Sequence, residues 1–323
     1  MLDRYPHFDA RIPWIGPDLQ TVRNVICGPV RRISADRREA RLVLPLRDET
    51  GDCLAARVFE PEVPRESAPL VVLIHGLGGD EESPYIQTTT AWLLPRGYPV
   101  LHVNLRGAGP SRPLCRKQYH AGRTADLRDA LLGLPESMTR NGLVVVGYSL
   151  GGNMVLKYAA EYGGLRGVVS VSAPIDLAAS SRRFLVGRNR PYHLYLLRLM
   201  KAEALAAKGG VTDEERMLIP KLRTILEFDE RLVAPRNGFA GADDYYAKNH
   251  ARQFLREIEL PTLLIHACDD PWIPSEAYTH YSWSRNPWLQ PLLARGGGHL
   301  GFHGRGSRIP WHDRCLHVFL ETL

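Results

Sequence analysis

Short apolar runs alternate with amphipathic segments along most of the chain. Residues 40–46 and 53–59 have the pattern of two strands flanking a polar turn, which predicts an antiparallel pair. Residues 70–74 are β-branched and apolar at consecutive positions, as expected for a strand buried on both faces. Helical and strand-like segments then follow in turn. This alternation predicts an α/β fold, with a mostly parallel sheet, right-handed crossovers and helices on both faces.

The other predicted elements complete this alternation. They are helices at 86–95, 125–134, 150–162, 275–284 and 310–323, and strands at 98–105, 143–146, 167–172, 262–267 and 290–294. Between residues 174 and 260 the order breaks, and the chain becomes helical, charged and aromatic. We therefore predict an irregular N-terminal arm (1–39) that packs on a core (40–173 and 261–323), and a helical lid insertion (174–260). Such an insertion would lie above the carboxyl edge of the sheet, where ligands bind.

Composition and charge narrow the classes of protein. With 41 Lys+Arg against 35 Asp+Glu, the net charge of the 323 residues is 41 − 35 = +6, an ordinary solubility margin. The arginines are scattered, so we expect no nucleic-acid partner. No apolar run reaches the about 18 residues of a membrane span, and the first residues lack the order of a signal peptide. We expect a cytoplasmic protein without a transmembrane segment. The sequence pattern does not indicate an oligomeric state.

The five cysteines give no sign of a disulfide framework or a zinc site. Their number is odd, they are widely spaced, and no Cys-x-x-Cys pair occurs. We therefore expect free thiols, no metal and no cofactor.

The strongest chemical signal is the sequence Gly-Tyr-Ser-Leu-Gly at residues 147–151. It lies between the predicted strand at 143–146 and the predicted helix at 150–162, the context that a nucleophile elbow requires. The glycines relieve backbone crowding in the sharp turn, and the turn presents the Ser149 hydroxyl above the sheet edge. An ordinary glycine-rich turn between a strand and a helix is the alternative interpretation. The context favours Ser149 as a nucleophile.

A serine nucleophile needs a base, and several histidines compete for that role. His299 lies in a glycine-rich loop directly after the strand at 290–294, where its imidazole could reach the serine. His303 is the closest competitor. His75 is expected to point into the structure and His266 to belong to the core. We predict His299 as the base.

The base in turn needs an acid that fixes its tautomer. Asp269 and Asp270 both follow the strand at 262–267. We prefer Asp270, which leaves Asp269 as a turn former or a second acceptor. The chain order Ser149, Asp270, His299 is the order of the α/β-hydrolases and differs from both serine-protease orders.

The negatively charged oxygen formed during acyl transfer needs two backbone N–H donors. Leu150, directly after the serine, would supply one. The loop His-Gly-Leu-Gly-Gly at 75–79 follows the strand at 70–74 and would supply the other through Leu77. A phosphate-binding loop is the alternative, but neither of the usual glycine-rich phosphate motifs is present.

These motifs together resemble the α/β-hydrolase superfamily and, within it, the YheT-like esterases (the fourth AB hydrolase family). The resemblance covers nearly the whole chain. It rests on Pro-Asp-Leu-Gln-Thr at 17–21, Ser-Pro-Tyr-Ile at 83–86, Val-Asn-Leu-Arg-Gly at 103–107, Asp-Asp-Pro at 269–271 and Gly-Gly-His-Leu-Gly-Phe at 297–302, besides the two loops above. It implies an α/β-hydrolase fold, a triad of Ser149, Asp270 and His299, and hydrolysis of carboxylic esters with short or medium acyl chains.

We therefore expect a serine esterase that forms an acyl-enzyme on Ser149 and acts on a small-molecule or lipid ester. An acyltransferase that passes the acyl group to an alcohol is the alternative, and a binding protein on the hydrolase fold is a further one. In the predicted lid, the apolar residues Leu194, Leu197 and Leu199 have basic neighbours. We favour a helix that covers the acyl pocket, and peripheral contact with an anionic membrane is the other interpretation. Asn104, Arg106 and Gly107 are expected to shape a turn rather than bind substrate, and His120 to lie at the surface.

Overall fold

Eight strands form one sheet in the residues that the computed structural model describes, 4–206 and 210–323. Residues 1–3 of the predicted arm and 207–209 of the predicted lid lie outside the described residues. The strands are β1 (Glu39–Pro45), β2 (Cys53–Phe59), β3 (Leu70–Ile74), β4 (Val100–Val103), β5 (Leu143–Tyr148), β6 (Gly167–Val171), β7 (Thr262–Ala267) and β8 (Leu289–Ala294).

The strand order in the sheet is β1-β2-β4-β3-β5-β6-β7-β8. β2 is antiparallel to both of its neighbours, and the strands from β4 to β8 in this order run parallel. This confirms the predicted α/β class and the predicted antiparallel pair. Because β3 and β5 are central and parallel, the loops that leave their carboxyl ends lie side by side at one edge.

The helices outside the predicted lid are α1 (Pro17–Cys27), α2 (Pro84–Leu93), α3 (Thr124–Leu132), α4 (Glu136–Thr139), α5 (Leu150–Tyr162), α12 (Glu276–Thr279) and α13 (Trp311–Leu320). The predicted lid contains α6 (Leu177–Phe184), α7 (Arg190–Leu205), α8 (Asp213–Leu218), α9 (Ile225–Phe228), α10 (Ala234–Arg236) and α11 (Ala242–Asn249), and no strand is found among its described residues. A π-helical turn, Asp229–Val233, joins α9 to α10.

Alternate strand positions form two separate cores. Val72 and Val145 pack with α3 and α5 on one face of the sheet. Their chain neighbours Leu73 and Val146 pack with α2 and α13 on the other. Burial on both faces explains why the central strands are continuously apolar.

Two sequence predictions of local structure were wrong. The arm is not irregular, because it contains the 11-residue helix α1. The predicted helix at 275–284 is split into α12 and a 3₁₀ turn, Trp283–Arg285. At the break, the Tyr278 carbonyl accepts hydrogen bonds from the Tyr281 N–H (3.2 Å) and from the Trp283 indole (2.9 Å), which closes a tight turn in place of a further helical turn.

Candidate active site

Ser149 lies in the turn between β5 and α5, in a left-handed backbone conformation (φ 52°) that non-glycine residues rarely adopt. The flanking glycines are required by steric contact. A Cβ at Gly147 would lie 2.3 Å from the Gly151 carbonyl oxygen, and one at Gly151 would lie 2.5 Å from the His75 carbonyl oxygen. The turn therefore has the strained form expected of a nucleophile elbow.

The three residues predicted as a triad are in hydrogen-bond contact. His299 Nε2 is 3.0 Å from Ser149 Oγ, and His299 Nδ1 is 2.9 Å from Asp270 Oδ2. The Trp272 ring stacks on the imidazole with 4.2 Å between ring centroids. If Nδ1 donates to the Asp270 carboxylate, Nε2 carries the lone pair that can accept the serine proton.

The two adjacent aspartates have different partners. Asp270 Oδ1 accepts the backbone N–H groups of Trp272 (2.8 Å) and Ile273 (3.1 Å), which orients its other oxygen towards His299. Asp269 Oδ1 accepts the N–H of Gly298 (2.9 Å), and burial raises the pKa of Asp269. The position of Asp270 fits the acid of a triad, while Asp269 holds the loop that carries His299.

The competing histidines have other partners. His75 Nε2 accepts the Leu105 N–H (3.0 Å), so Nδ1 carries the proton and donates to the Gly76 carbonyl (2.8 Å). His303 Nε2 is 3.0 Å from the Asn24 side-chain oxygen, and burial lowers the pKa of His303 to about 3. His266 stacks on Tyr278, and burial lowers the pKa of His266 to about 4.

Two tyrosines hold the loop at 75–79 from either side. The Gly76 N–H donates to the Tyr85 hydroxyl (3.0 Å), and the Gly78 N–H donates to the Tyr119 hydroxyl (2.8 Å). Between them, the Leu77 N–H has no intramolecular acceptor among the described residues. The same holds for the Leu150 N–H in the first turn of α5. Both donors predicted for the oxyanion are thus available.

The loop at 75–79 also contacts α7 of the predicted lid. The Tyr119 hydroxyl is 3.2 Å from Glu203 Oε2, and Leu199 packs against Gly78. Burial raises the pKa of Glu203 to about 7. One hydrogen-bonded chain therefore joins the helix over the site to the loop that carries the Leu77 N–H.

A cavity of about 950 Å³ opens beside Ser149 and His299. Its wall is largely apolar and comes from the predicted lid, with Phe184, Leu196, Leu199, Met200, Phe228 and Leu232. Leu194 is not among the residues that line this wall, and half of its surface is exposed. The shape and lining suit a hydrophobic chain attached to a carbonyl at Ser149.

Three polar residues of α1 support the His299 loop, and sequence reasoning missed their role. Thr21 Oγ1 accepts the His299 N–H (2.8 Å), and the Asn24 side-chain nitrogen donates to the Leu300 carbonyl (3.0 Å). The Gln20 side chain bonds both backbone groups of His303. The sequence Pro-Asp-Leu-Gln-Thr at 17–21, which carried part of the resemblance, was the available signal.

The turn after β4 is held by internal contacts. The Arg106 guanidinium is fully buried and pairs with Asp52 and Asp126, and the Asn104 amide donates to Glu81 (2.8 Å). Neither residue lines the cavity. His120 was expected at the surface, but it is buried against Phe239 and Tyr245, and burial lowers its pKa to about 3.

Among the described residues, no three His, Cys, Asp or Glu side chains are grouped so that they could hold a metal ion. In the same part of the chain, no helix combines the length and the apolar character that crossing a membrane requires.

Comparison with known proteins shows relatives over most of the chain. Residues 71–308 match the alpha/beta hydrolase family. The chain is 34% identical to "Putative esterase YheT" of Escherichia coli over 290 residues, which cover 87% of this chain and 84% of that one. It is 27% identical to the medium-chain fatty acid ethyl ester synthase/esterase 2 of Saccharomyces cerevisiae, with 78% of this chain and 61% of that longer protein covered.

The fold is similar to that of the Pyrococcus furiosus esterase Pf2001. The two share 15% identity at a TM-score of 0.58, with 91% of this chain and 98% of that chain covered. Together with the strand order, the family match and the identity to the YheT esterase show that this chain belongs to the α/β-hydrolase family, as a YheT-like member of the carboxylic ester hydrolases.

Proposed function

We propose that the protein hydrolyses carboxylic esters through an acyl-enzyme on Ser149. The observation that carries the proposal is the continuous hydrogen-bonded chain from Ser149 through His299 to Asp270, at the wall of an apolar cavity. Such a chain turns a serine hydroxyl, a weak nucleophile by itself, into one that can attack a carbonyl carbon.

In the first half of the reaction, His299 Nε2 accepts the Ser149 proton while Oγ attacks the ester carbonyl. The resulting oxyanion accepts hydrogen bonds from the Leu77 and Leu150 N–H groups. His299 then returns the proton to the departing alcohol. In the second half a water molecule, deprotonated by His299, attacks the acyl-enzyme. The bond between the acyl carbon and Ser149 Oγ breaks, His299 returns the proton to Oγ, and the carboxylic acid is released. Asp270 stays ionised and stabilises the imidazolium in both halves.

The substrate we propose is an ester with a short or medium acyl chain, carried by a small molecule or a lipid. The described residues of the proposed lid (174–260) form most of the apolar wall of the cavity. Each methylene buried there contributes about 0.8 kcal/mol, or about fourfold in the specificity constant. Preference should therefore rise with chain length until the cavity is filled.

A series of p-nitrophenyl esters from acetate to palmitate tests this proposal. We expect kcat/KM to rise from acetate, pass through a maximum at intermediate length and fall at palmitate. Met200→Trp, which fills the cavity, should move the maximum to shorter chains. Met217→Trp is the matched control, since Met217 is exposed and lies outside the cavity wall. Absence of turnover with every ester, or a maximum that moves equally in both variants, would contradict it.

Acyl transfer to an alcohol is the second candidate function. The yeast relative named for both ester synthesis and ester hydrolysis favours it. Product analysis with ethanol or glycerol present separates the two candidates. A transferase should form a larger ratio of new ester to free acid than the ratio of alcohol to water in the reaction.

We also propose that the protein acts in the cytoplasm and has no nucleic-acid partner. All five cysteines are free, and three of them are exposed or partly exposed, which suits a reducing compartment. Cell fractionation followed by immunoblotting tests the location, and recovery from an oxidising compartment would contradict it.

A further inference from the structure

Helix α1 has its polar side inward and its apolar side outward, the reverse of an ordinary surface helix. Gln20, Thr21 and Asn24 face inward and hold the loop at His299. Leu19, Val22 and Ile26 follow the spacing i, i+3, i+7 on the opposite side, where Leu19 is 45% and Ile26 70% exposed. The inward contacts fix the helix in this orientation, so Leu19 and Ile26 remain exposed within the described chain, while Val22 is half-buried at the wall of the large cavity.

Other exposed apolar side chains lie near this helix. Most of the large apolar residues that the described chain exposes belong to the arm or to residues 177–205 of the proposed lid: Ile12, Ile15, Leu19, Val25, Ile26, Leu185, Val186, Leu194 and Tyr195. Asp18 of α1 ties the two segments together, through Arg188 (2.8 Å) and the Tyr192 hydroxyl (2.8 Å). These contacts place α1 beside the lid helix α7, and we call the exposed apolar residues of the two segments the arm–lid face.

The mouth of the large cavity lies in the arm–lid face. Val25, Ile26 and Tyr195 line the cavity and are also exposed, so they form part of its rim. A molecule that covers this face therefore meets the entrance that leads to Ser149.

A second, smaller cavity of about 390 Å³ at the arm is lined by positively charged side chains. Arg11, Arg23 and Arg308 line it, with Trp14 and three further apolar residues, and no acidic residue is among the lining. None of the three arginines forms a salt bridge with a carboxylate of the described residues. Burial lowers the pKa of Arg23, and the positive charge of Arg11 adds to this effect.

The combination of positive charge and exposed apolar surface indicates which kind of partner fits this face. Guanidinium groups without carboxylates suit phosphate oxygens, which they bind with two parallel hydrogen bonds. A contiguous exposed apolar patch marks an interaction site rather than a solvated surface. An apolar helix side with flanking arginines is the arrangement by which proteins lie on anionic membranes.

We propose that the arm–lid face docks on an anionic phospholipid surface. Leu19 and Ile26 enter the apolar boundary, and Arg11, Arg23 and Arg308 bind lipid phosphates. Docked in this way, the cavity mouth opens onto the lipid. The consequence for catalysis rests on the proposed esterase function, but the docking itself does not.

Co-sedimentation with vesicles tests the docking, with the full chain carrying Ser149→Ala so that no ester is cleaved. Binding is compared between vesicles of phosphatidylcholine alone and of equal parts phosphatidylcholine and phosphatidylglycerol. We expect binding to the mixed vesicles, weakened by added salt. An arginine near such a surface strengthens binding about fivefold, so Arg11→Gln with Arg308→Gln should weaken it about 25-fold.

Two matched controls separate docking from general effects. Arg140→Gln with Arg285→Gln removes the same charge from exposed sites elsewhere and should leave vesicle binding unchanged. Leu19→Gln should weaken binding, whereas Val63→Gln, at an exposed site outside the arm–lid face, should not. Circular dichroism verifies the fold of each variant.

Three results would overturn the proposal: no binding to the mixed vesicles, equal loss in the control variants, or a dimer in analytical ultracentrifugation that Leu19→Gln dissociates. The last result would make the arm–lid face a contact between two copies of the chain. Because the tested chain lacks the serine hydroxyl, failure here leaves the esterase proposal intact. An inactive wild-type enzyme that still binds vesicles would contradict only the esterase proposal.

Discussion

At the scale of single residues, the order of the motifs in the chain and their positions in loops predicted three site residues, and the structure brings their side chains into contact. Ser149, Asp270 and His299 come from three distant parts of the sequence, yet parallel strands deliver the loops that carry them to one edge of the sheet. The sequence favoured Asp270 over Asp269 only by its place in the turn, because adjacent aspartates look alike in a sequence. Only the hydrogen bonds show that one faces the imidazole and the other faces Gly298.

Substitution of the two aspartates tests the roles proposed for them. In Asp270→Asn the side-chain amide can favour the wrong imidazole tautomer, so we expect kcat to fall by about four orders of magnitude. Asp269→Asn is the matched control. It keeps an oxygen acceptor for the Gly298 N–H and should lose less than about tenfold. Steady-state kinetics on a p-nitrophenyl ester measures both, and similar losses would contradict the assignment.

At the scale of elements, strands were predictable and the arm helix was not. The central strands are continuously apolar, so their pattern is visible without partners. In α1 the inward residues, Gln20 and Thr21, are polar, and the apolar stripe with Leu19 and Ile26 faces outward instead of towards a core. The predicted lid was recognised as helical, but the wall that it builds depends on contacts between helices far apart in the chain, such as α7 with the loop at 75–79.

Thr21 should position His299 from the arm. In Thr21→Val the buried His299 N–H loses its acceptor, which costs about 1–3 kcal/mol. We expect kcat to fall about tenfold and the melting temperature to decrease. Thr21→Ser restores the hydroxyl and should recover kcat, which a loss of packing alone would not explain. Wild-type kcat in Thr21→Val would contradict this role.

Tyr119 should position the oxyanion loop. Tyr119→Phe removes the acceptor of the Gly78 N–H and the contact with Glu203, so the Leu77 N–H is held less firmly. We expect kcat to fall between about threefold and about tenfold, with a smaller change in KM. Tyr98→Phe, far from the cavity, is the control. Equal effects of the two substitutions on kcat would argue against a specific role for Tyr119.

At the scale of the whole molecule, the same insertion that enlarges the chain encloses the cavity and buries ionisable groups. The +6 charge, which is unremarkable as a total, includes the three arginines of the arm cavity. Composition alone predicts neither the enclosed cavity nor the cluster of arginines, because both depend on which residues the fold brings together. Burial also raises the pKa of Glu203, Asp229 and Asp313, each to about 7.

These three carboxyl groups contribute to the change of stability with pH. Each has a folded-state pKa above the unfolded one, so between about pH 4 and about pH 7 each binds more protons in the folded state, and its contribution to stability falls as the pH rises. Buried histidines such as His120, His266 and His303, whose pKa values burial lowers, act in the opposite sense below about pH 6.5, so a substitution isolates the carboxyl effect. In thermal denaturation, the melting temperature at about pH 8 minus that at about pH 5 should be at least about 2 °C larger in Asp313→Asn than in the wild type. Asp9→Asn, at an exposed site, should leave this difference unchanged.

The central claim is that the Ser149 hydroxyl is the nucleophile, and turnover of a p-nitrophenyl ester by Ser149→Ala tests it most directly. Circular dichroism establishes that the variant is folded, and Ser67→Ala, at an exposed serine, is the control. We predict that Ser149→Ala lowers kcat by at least about 10⁴-fold and prevents labelling by a fluorophosphonate probe, while Ser67→Ala behaves as the wild type. A folded Ser149→Ala protein that retains turnover would contradict the account.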